Sequence, residues 1–355
     1  MATNIWAITD TFTLLSTIER IEQPESFLAD RFFGDTLTVN TSYVAVEYRS
    51  EGRLLAPMLV KNARGVDVNR ATSKISYYTP MLFGPRRVIS LANLETRMFG
   101  ETPNLYNPTP PESRAAKLQS EDMADLICLH ANRREQLAAE LLQTGKIHLK
   151  AYADDNKVEE TDEIKFDWDG EFVPTNNWDN TDATIYNDLF AVSERIQRRV
   201  GEIPTYAICG KGVEQDLLKN PEIKAWLMTP NPSNLTMANF APEWTSPQTR
   251  YIGRISALNM DFVSYAKTYI DEDGNTKPYV ADNTVIIACG NIGKTIYAPV
   301  PIFENGQWHT IAAPQVPKYT IDSEAQTTAL TLYSRYVLVP NATDFWITIK
   351  THGNS

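Results

Sequence analysis

The segment that decides the fold is ESRAAKLQSEDMADLICLHANRREQLAAELLQTG, residues 112–145. Its inward-facing positions recur at helical spacing, at Met123, Ile127, His130, Leu137 and Leu141. Prolines at 103, 108, 110 and 111 precede it, and a glycine at 145 follows the last periodic residue, where helices commonly end. The spacing predicts one helix over 112–144, roughly 50 Å long at about 1.5 Å per residue.

A hairpin with an acidic connection is predicted directly after this helix. Residues 146–153 and 164–168 have the composition of two strands. The stretch 154–171, which joins and overlaps them, contains nine acids and two lysines, a net charge of −7. Most of the net charge of the chain, which is −11, therefore lies in this one segment.

The segments that precede the long helix in sequence predict a short arm and a long loop. Residues 9–22 have the spacing of a short amphipathic helix, and the apolar cluster 27–33 predicts a helical turn followed by a strand. Residues 49–90 contain glycines and prolines among short β-type runs, which is typical of a long functional loop. This loop carries eight Lys or Arg residues and two acids, a net charge of +6.

After a change of composition at 174–181, which predicts a boundary, the chain is mixed α/β. The expected elements are a helix over 182–200 stopped by Gly201, a strand over 206–209, a helix over 213–227 interrupted by Pro221, strands over 251–298 with a turn at Asp273-Gly274, and closing strands over 330–339 and 345–349. No repeat of fixed period is present in the sequence. The whole pattern predicts an α+β protein.

The composition excludes several classes of protein. The 355 residues are 43% hydrophobic and 22% charged, which argues for a globular protein and against a coiled coil, collagen or disorder. The acidic balance, with a pI near 5.0, has the wrong sign for a dedicated nucleic-acid-binding protein. Cys128, Cys209 and Cys289 are too widely spaced for a zinc site or a disulfide framework. We expect a reducing compartment, no signal peptide and no membrane span.

One segment resembles a catalytic motif. Residues 288–295, ACGNIGKT, fit a relaxed phosphate-binding loop that follows the predicted strand 284–287. Such a loop needs a helix directly after it, whose N-terminal amides hold the phosphates. The residues after Thr295 are instead β-branched and include Pro299 and Pro301. A nucleotide site at Gly293-Lys294-Thr295 is therefore kept only as a weaker alternative.

The other candidate patterns favour structural roles. Residues 271–275 lack the alternating ligands of a calcium loop and predict a hairpin turn. The four histidines have no metal-ligand spacing, and His130, on the apolar face of the long helix, is expected to be buried. The three cysteines lie in apolar stretches and are expected to be buried thiols. We therefore predict no enzyme activity, no cofactor and no metal.

The order of these parts resembles the major capsid proteins of tailed phages, with the Hong Kong 97-type fold, in the lambda-type capsid protein E family. The resemblance rests on FLADRFF at 27–33, APMLV at 56–60, YTP at 78–80, LLQTGK at 141–146, IDEDGN at 270–275, ADNTV at 281–285 and LVPNATDF at 338–345. Each stretch is short, but together they keep the family's order over most of the chain.

The resemblance implies a division of the chain. Residues 1–46 would form an N-arm, 47–95 an extended β loop, 96–180 a peripheral domain with a long spine helix at about 112–144 and an acidic tongue at 146–171, 181–329 a mixed α/β axial domain, and 330–355 strands that return to the peripheral domain. The same resemblance implies a structural protein without catalysis.

It also implies a role and partners. The chain would self-assemble into hexamers and pentamers of an icosahedral phage head, first as a procapsid, and enclose double-stranded DNA without reading its sequence. A scaffolding protein and a portal are the expected partners, and a decoration protein is left open. The expected location is the virion capsid, assembled in the cytoplasm of a bacterial host.

Two alternatives accompany this interpretation. An encapsulin-like nanocompartment shell would share the fold and differ in carrying a groove for cargo. A covalent cross-link between a loop lysine and a neighbour's asparagine, as in the type member of the fold, would use Lys61 or Lys74. The lambda branch does not use that chemistry, so we expect no cross-link.

The charge pattern suggests how subunits meet. In this fold the extended loop lies across the peripheral domain of a neighbouring subunit, so the basic loop is available to meet the acidic tongue. The residues predicted for this contact are Arg64, Arg70, Lys74, Asp154, Asp155, Glu159 and Glu160. Complementary charge of this kind steers association and sets register more than it adds affinity. The alternative is that both segments are solvated loops.

Overall fold

The structure is a computed structural model. It describes residues 14–15, 18, 24–49, 73–90, 111–152, 158–223, 238–239, 243–246, 248–272, 274–304, 306–322, 324 and 326–353. Most of the helix predicted over 9–22 and residues 50–72 of the basic loop lie outside these ranges.

The described helices are α1 Phe27–Phe33, α2 Pro111–Thr144, α3 Ile185–Val200 and α4 Lys211–Lys219. Helix α2, with 34 residues, confirms the long helix predicted from the spacing. It ends at Gly145, whose φ of +69° lies in the left-handed region and whose N–H donates to the carbonyl of Leu141 at 2.8 Å. A side chain is excluded at Gly145 because a Cβ would also lie 2.6 Å from the ring of Trp168.

The other helices differ from expectation at their ends. Helix α3 confirms the helix predicted over 182–200, although it begins at Ile185, and it ends at Gly201 with φ of +88°. Helix α4 spans Lys211–Lys219, which confirms the interruption predicted at Pro221, and residues 224–227 of the predicted helix lie outside the described residues. The Asn220 side chain instead accepts hydrogen bonds from the N–H groups of residues 222 and 223 and starts a separate turn.

Strands outnumber helices in the described chain. The strands are β1 Asp35–Thr38, β2 Val44–Arg49, β3 Ser73–Tyr78, β4 Met81–Phe83, β5 Arg86–Ile89, β6 Lys146–Tyr152, β7 Val158–Lys165, β8 Glu171–Phe172, β9 Tyr206–Cys209, β10 Ala238–Asn239, β11 Glu243–Ser246, β12 Thr249–Ile255, β13 Met260–Tyr265, β14 Thr268–Ile270, β15 Thr276–Pro278, β16 Thr284–Ala288, β17 Gly293–Tyr297, β18 Val300–Glu304, β19 Gln307–Ile311, β20 Val316–Asp322, β21 Thr327–Pro340 and β22 Trp346–Lys350. A 3₁₀ turn spans Thr343–Phe345.

Two sheets organise these strands. The first has the order β1-β17-β21-β20, with β4 and β5 also paired along the 14-residue β21. Strand β1 is parallel to β17, with Asp35 opposite Lys294. The second sheet has the order β10-β12-β13-β9-β16-β22-β8, with β11 paired to β12. The mixture of long helix and mixed sheets confirms the α+β class.

The second sheet separates two hydrophobic clusters. Along β16, Val285 and Ile287 join the cluster of α3 and α4, while Ile286 joins the cluster of α1 and the C-terminal half of α2. These residues are fully buried. Because successive side chains of a strand point to opposite faces, this sheet is covered on both sides, which explains the continuous apolar run at 285–289.

Four two-stranded hairpins extend the described structure: β2–β3, β6–β7, β14–β15 and β18–β19. The first belongs to the predicted extended loop, and β14–β15 confirms the turn expected near Asp273-Gly274, with Gly274 at φ of +81°. Hairpin β6–β7 confirms the pairing predicted after the long helix, with Lys146 opposite Lys165. Its second strand begins at Val158, however, so acids expected in the connection are part of a strand.

The closing strands lie in different sheets. Strand β21 pairs with β17 and packs against α2, whereas β22 pairs with β16 and β8 in the second sheet. The side chains of Trp346 and Thr348, on β22, both donate to the carbonyl of Leu142, at 3.0 and 2.6 Å. This carbonyl is in the last turn of α2, where carbonyl groups have no N–H donors within the helix. Strand β22 therefore supplies hydrogen-bond donors to the C-terminal end of the long helix.

Candidate assembly surfaces

The joint between α1 and α2 is built on a buried carboxylate. Glu135 of α2 is fully buried, and its two oxygens accept hydrogen bonds from the N–H groups of Leu28 and Ala29, both at 2.8 Å. The hydroxyl of Tyr265 donates to the same carboxylate at 2.7 Å. Burial raises the pKa of Glu135, and the three donors partly offset that rise. The carboxylate caps the first turn of α1, where backbone N–H groups have no helical partner.

Charged side chains at the edge of the same contact form a second set of interactions between α1 and α2. Arg134 forms an ion pair with Asp30 of α1. Asp30 also accepts a hydrogen bond from the backbone N–H of Ser26 at 3.0 Å. Helix α1 is therefore held on α2 by both polar contacts and its buried side chains Leu28, Ala29, Phe32 and Phe33.

The guanidinium of Arg335 forms hydrogen bonds with chain segments at the base of two hairpins. Arg335, on β21, donates to the carbonyls of Pro80 at 3.1 Å, Ser42 at 3.2 Å and Pro299 at 3.5 Å. The first two carbonyls flank the β2–β3 hairpin, and the third precedes β18. Because a guanidinium presents several donors in a rigid plane, it fixes these chain segments relative to one another.

Both hairpins expose large apolar side chains. On β2–β3, Tyr43, Ile75 and Tyr77 are 55% to 67% exposed, while Val44 on the opposite face is buried. On β18–β19, the exposed side chains include Trp308. Exposed apolar surface of this kind is what an assembling subunit offers to a partner.

The residues predicted for the charged contact are only partly within the described chain. Arg64, Arg70, Asp154 and Asp155 lie outside it. Lys74 lies on β3 opposite Tyr48, and Glu159 and Glu160 lie on β7, with Glu160 opposite Ala151. The contact between loop and tongue stays a prediction.

Ionic contacts connect the two strands of hairpin β6–β7 near the end of the long helix. Glu163 of β7 lies 2.7 Å from Lys165, 3.4 Å from Lys146 and 3.3 Å from the Nε2 atom of His148. The hydrogen bond from Lys165 is the main cause of the lowered pKa of Glu163. The other ring nitrogen of His148 contacts Glu140 of α2. Hairpin β6–β7 therefore contacts the end of the long helix through His148.

A second cluster of ions fastens α3. The guanidinium of Arg199 contacts both carboxylate oxygens of Asp169, at 2.6 and 2.9 Å, and Asp344 at 2.8 Å. These contacts lower the pKa of Asp169 and raise that of Arg199. Since the cluster is largely solvent-exposed, it orients α3 more than it adds stability.

The phosphate-loop alternative is wrong on structural grounds. Gly293-Lys294-Thr295 forms the start of β17, a strand between β1 and β21, and no helix follows it. Thr295 is fully buried, and its hydroxyl donates to the carbonyl of Phe33 at 2.8 Å. Backbone amides that are committed to a sheet cannot hold a phosphate.

The predictions for histidine and cysteine are confirmed with one exception. His130 is buried on α2, and its Nε2 atom lies 2.8 Å from the carbonyl of Leu332. Cys209 and Cys289 are buried, and burial raises the pKa of the Cys289 thiol to about 11. Cys128 is exposed, contrary to expectation, because the α2 face that carries it points away from the core.

The burial of His130 predicts a pH dependence. Burial lowers the pKa of His130 in the folded chain below its ordinary value of about 6.5. The unfolded chain therefore binds the proton first as the pH falls, so the free energy of unfolding should decrease below about pH 6.5 and the loss should end below the folded pKa. The measurement is urea unfolding at pH 5 to 8 for the wild type and His130→Gln. Equal pH dependence in both would contradict the prediction.

The described residues form no candidate metal site. No group of three or more His, Cys, Asp or Glu side chains in these ranges could hold a metal ion. Asp271, in the β14–β15 turn, forms an ion pair with Lys277 at 2.8 Å and accepts a hydrogen bond from the N–H of Asn275. None of the helices in the same ranges is long and apolar enough to cross a membrane.

Sequence reasoning missed the three residues that fasten the structure. Glu135, Arg199 and Arg335 were not singled out because acids and arginines in amphipathic segments usually face water. The one signal for Glu135 is its position in the helix beside the apolar face. It follows Arg134 and precedes, by two residues, side chains of the same helix that are buried. Their partners, by contrast, are 30 to 293 residues away in sequence.

Comparison with known proteins agrees with this architecture. The family model described as phage major capsid protein E matches residues 10–351. A search of curated proteins finds no match. A prophage capsid protein from Escherichia coli CFT073 has a similar structure, with a TM-score of 0.68 and 17% identity over 96% of this chain and 98% of that one.

Two further structures are similar. A phage-related protein of Bordetella bronchiseptica RB50 has a TM-score of 0.52 and 10% identity, covering 95% of this chain and 96% of that one. The SrpI encapsulin of Synechococcus elongatus has a TM-score of 0.44 and 12% identity, covering 99% and 96%. The likeness to the prophage capsid structure confirms the Hong Kong 97-type fold. With a family model that spans nearly the whole sequence, this chain belongs to the phage major capsid protein E family.

Proposed function

We propose that this chain is the subunit from which hexamers and pentamers of an icosahedral phage head are built around double-stranded DNA. The observation that carries the proposal is the family match over residues 10–351, together with a fold shared over nearly the whole chain with a prophage capsid protein. The family's role is structural, and self-association into a shell follows from it. We further propose that the role includes no catalytic step.

The proposal extends to partners and place. A scaffolding protein would guide a procapsid, a portal would occupy one vertex, and assembly would take place in the host cytoplasm before the shell becomes part of the virion. A decoration protein stays open. The division into N-arm 1–46, extended loop 47–95, peripheral domain 96–180, axial domain 181–329 and closing strands 330–355 is part of the same proposal.

The test is direct imaging of assembly. The full-length chain is expressed with and without its neighbouring scaffold gene, and the purified protein is studied by size-exclusion chromatography and negative-stain microscopy. Closed shells, hexamers or tubes are the expected result. A folded monomer under all conditions, including low salt and added scaffold, would overturn the proposal.

The charge contact gives a prediction about rate. If the basic loop meets the acidic tongue of a neighbour, raising the salt concentration from 50 to 500 mM should slow association by about tenfold, because exposed charges are screened beyond about 10 Å at 0.1 M salt. Reversal of Arg64, Arg70 and Lys74 to glutamate should abolish the salt dependence and most of the association. Light scattering after rapid mixing measures both.

The control variant has the same change of net charge, but at three positions outside the loop. Lys211, Lys219 and Lys318, outside the loop, are reversed to glutamate together. This variant should retain the salt dependence of the wild type. If both triple variants associate like the wild type at every salt concentration, loop and tongue are solvated and the charge contact is wrong.

A further inference from the structure

The two faces of the β18–β19 hairpin have opposite character. Val300 and Ile302 are buried and pack with Val316 of β20. On the other face, Phe303 is 47% exposed and Trp308 is 76% exposed. The register places these two rings directly opposite each other, with centroids 5.1 Å apart. The exposed face is therefore a preformed aromatic surface on a hairpin whose other face is fixed to the body.

The segment of sequence that carries this aromatic pair is poor in charge. Between residues 295 and 317, Glu304 is the only Asp, Glu, Lys or Arg. Aromatic enrichment with depletion of charge is the composition of the centre of a protein–protein interface. A DNA phosphate backbone would instead require Lys or Arg, and this segment has neither. The chemistry therefore fits a protein partner.

We propose that the outer face of the β18–β19 hairpin, formed by Phe303 and Trp308, binds a second copy of this chain within the shell. The inference rests on the proposed function, because it adds a specific subunit contact to it. The two partly exposed rings can bury on the order of 300 Å², whereas a stable pairwise interface needs about 800 Å² on each partner. A patch of this size cannot hold a separate partner alone. It suits a shell in which each subunit makes several partial contacts at once.

The position of the aromatic face is set from the body of the subunit. Arg335 holds the carbonyl of Pro299, directly before β18, and the carbonyls of Ser42 and Pro80 at the root of β2–β3. The two exposed hairpin faces are therefore oriented by one side chain. Arg335 is a positioning residue in this contact and does not itself lie on the aromatic face.

The experiment compares assembly and folding of full-length variants. Trp308→Ser and Phe303→Ser remove one exposed ring each, and Gln307→Ala, an exposed position of the same hairpin, is the matched control. Sedimentation velocity over a series of concentrations gives the critical concentration for assembly, and thermal unfolding reports the fold. We expect each ring variant to raise the critical concentration by about tenfold, and the control to change it less than twofold.

A second measurement identifies the occupant of the face. Acrylamide quenching of wild type and Trp308→Ser, before and after assembly, isolates the accessibility of Trp308. Its protection in shells made from this chain alone supports a second copy. Unchanged accessibility, or protection only when another head protein is added, overturns the inference. Failure of the wild type itself to assemble contradicts the proposed function instead, so the two failures are distinguishable.

Discussion

Replacement of Glu135 with alanine is expected to lower the free energy of unfolding by about 4 kcal/mol, the largest effect of any single polar substitution that we predict. The change leaves three buried donors without an acceptor: the N–H groups of Leu28 and Ala29 and the hydroxyl of Tyr265. Each unsatisfied buried donor costs about 1 to 3 kcal/mol. Urea unfolding, followed by circular dichroism, measures the loss.

The matched control is on the same helix. Glu121 of α2 is 56% exposed and forms an ion pair with Lys117, one turn away. Glu121→Ala should change the free energy of unfolding by less than about 0.5 kcal/mol. Glu135→Gln should lie between the two variants, because an amide keeps one acceptor oxygen but places an NH₂ group against donors. If Glu135→Ala unfolds at the wild-type urea concentration, the carboxylate does not hold α1 on α2.

Replacement of Trp346 with alanine is expected to cost a similar amount, about 3 to 5 kcal/mol, as for other buried tryptophans. The side chain is fully buried, and its ring stacks on Trp168 with centroids 5.9 Å apart. Its indole N–H also satisfies the carbonyl of Leu142 at the end of α2. Removal would open a cavity between the long helix, the tongue and the last strand. Thermal and urea unfolding measure the effect.

Two variants separate the causes of this loss. Trp346→Phe keeps an aromatic ring but removes the N–H, and it should cost about 1 to 2 kcal/mol, since Thr348 still donates to Leu142. Trp308→Ala removes a tryptophan that is 76% exposed and should leave the stability of the isolated subunit nearly unchanged. Equal losses for Trp346→Ala and Trp308→Ala would contradict the placement of Trp346 in the core.

The local elements were predictable because their signals are short-range. The long helix has apolar positions at regular spacing from Met123 to Leu141, and the glycines at 145 and 201 end their helices in the left-handed conformation that favours glycine. The strand over 206–209 was predicted at its observed bounds. Such features depend on neighbours within about one helical turn or one strand.

The elements that differed depend on distant partners. Residues 293–295 resemble a phosphate loop in isolation, but they pair with 35–36 on one side and 338–340 on the other. Acidic residues have low strand propensity, so the second strand of hairpin β6–β7 was predicted to begin at 164. The observed strand is Val158–Lys165. The antiparallel pairing with β6 overrides that preference and brings Lys146 and His148 close to Glu163.

The candidate surfaces were predictable in kind and not in detail. The family resemblance implied that subunits associate, and charge arithmetic suggested the loop and the tongue as one contact. The sequence carried no local sign that Arg335 joins the roots of two hairpins, because its three acceptors are backbone carbonyls that any residues could supply. The exposure of Trp308 likewise depends on which face of a hairpin packs on the body.

The pairing of β1 with β17 limits when this chain can fold during its synthesis. Strand β1 needs Lys294–Tyr297 as its partner, and β17 in turn pairs with residues up to Pro340. At about 5 to 20 residues per second, a ribosome needs roughly 10 to 60 s to reach those residues after β1 has emerged. The first sheet can therefore close only near the end of translation. Until then the apolar face of α1 has no sheet to cover it, and nascent chains on one messenger are exposed to mispairing with each other.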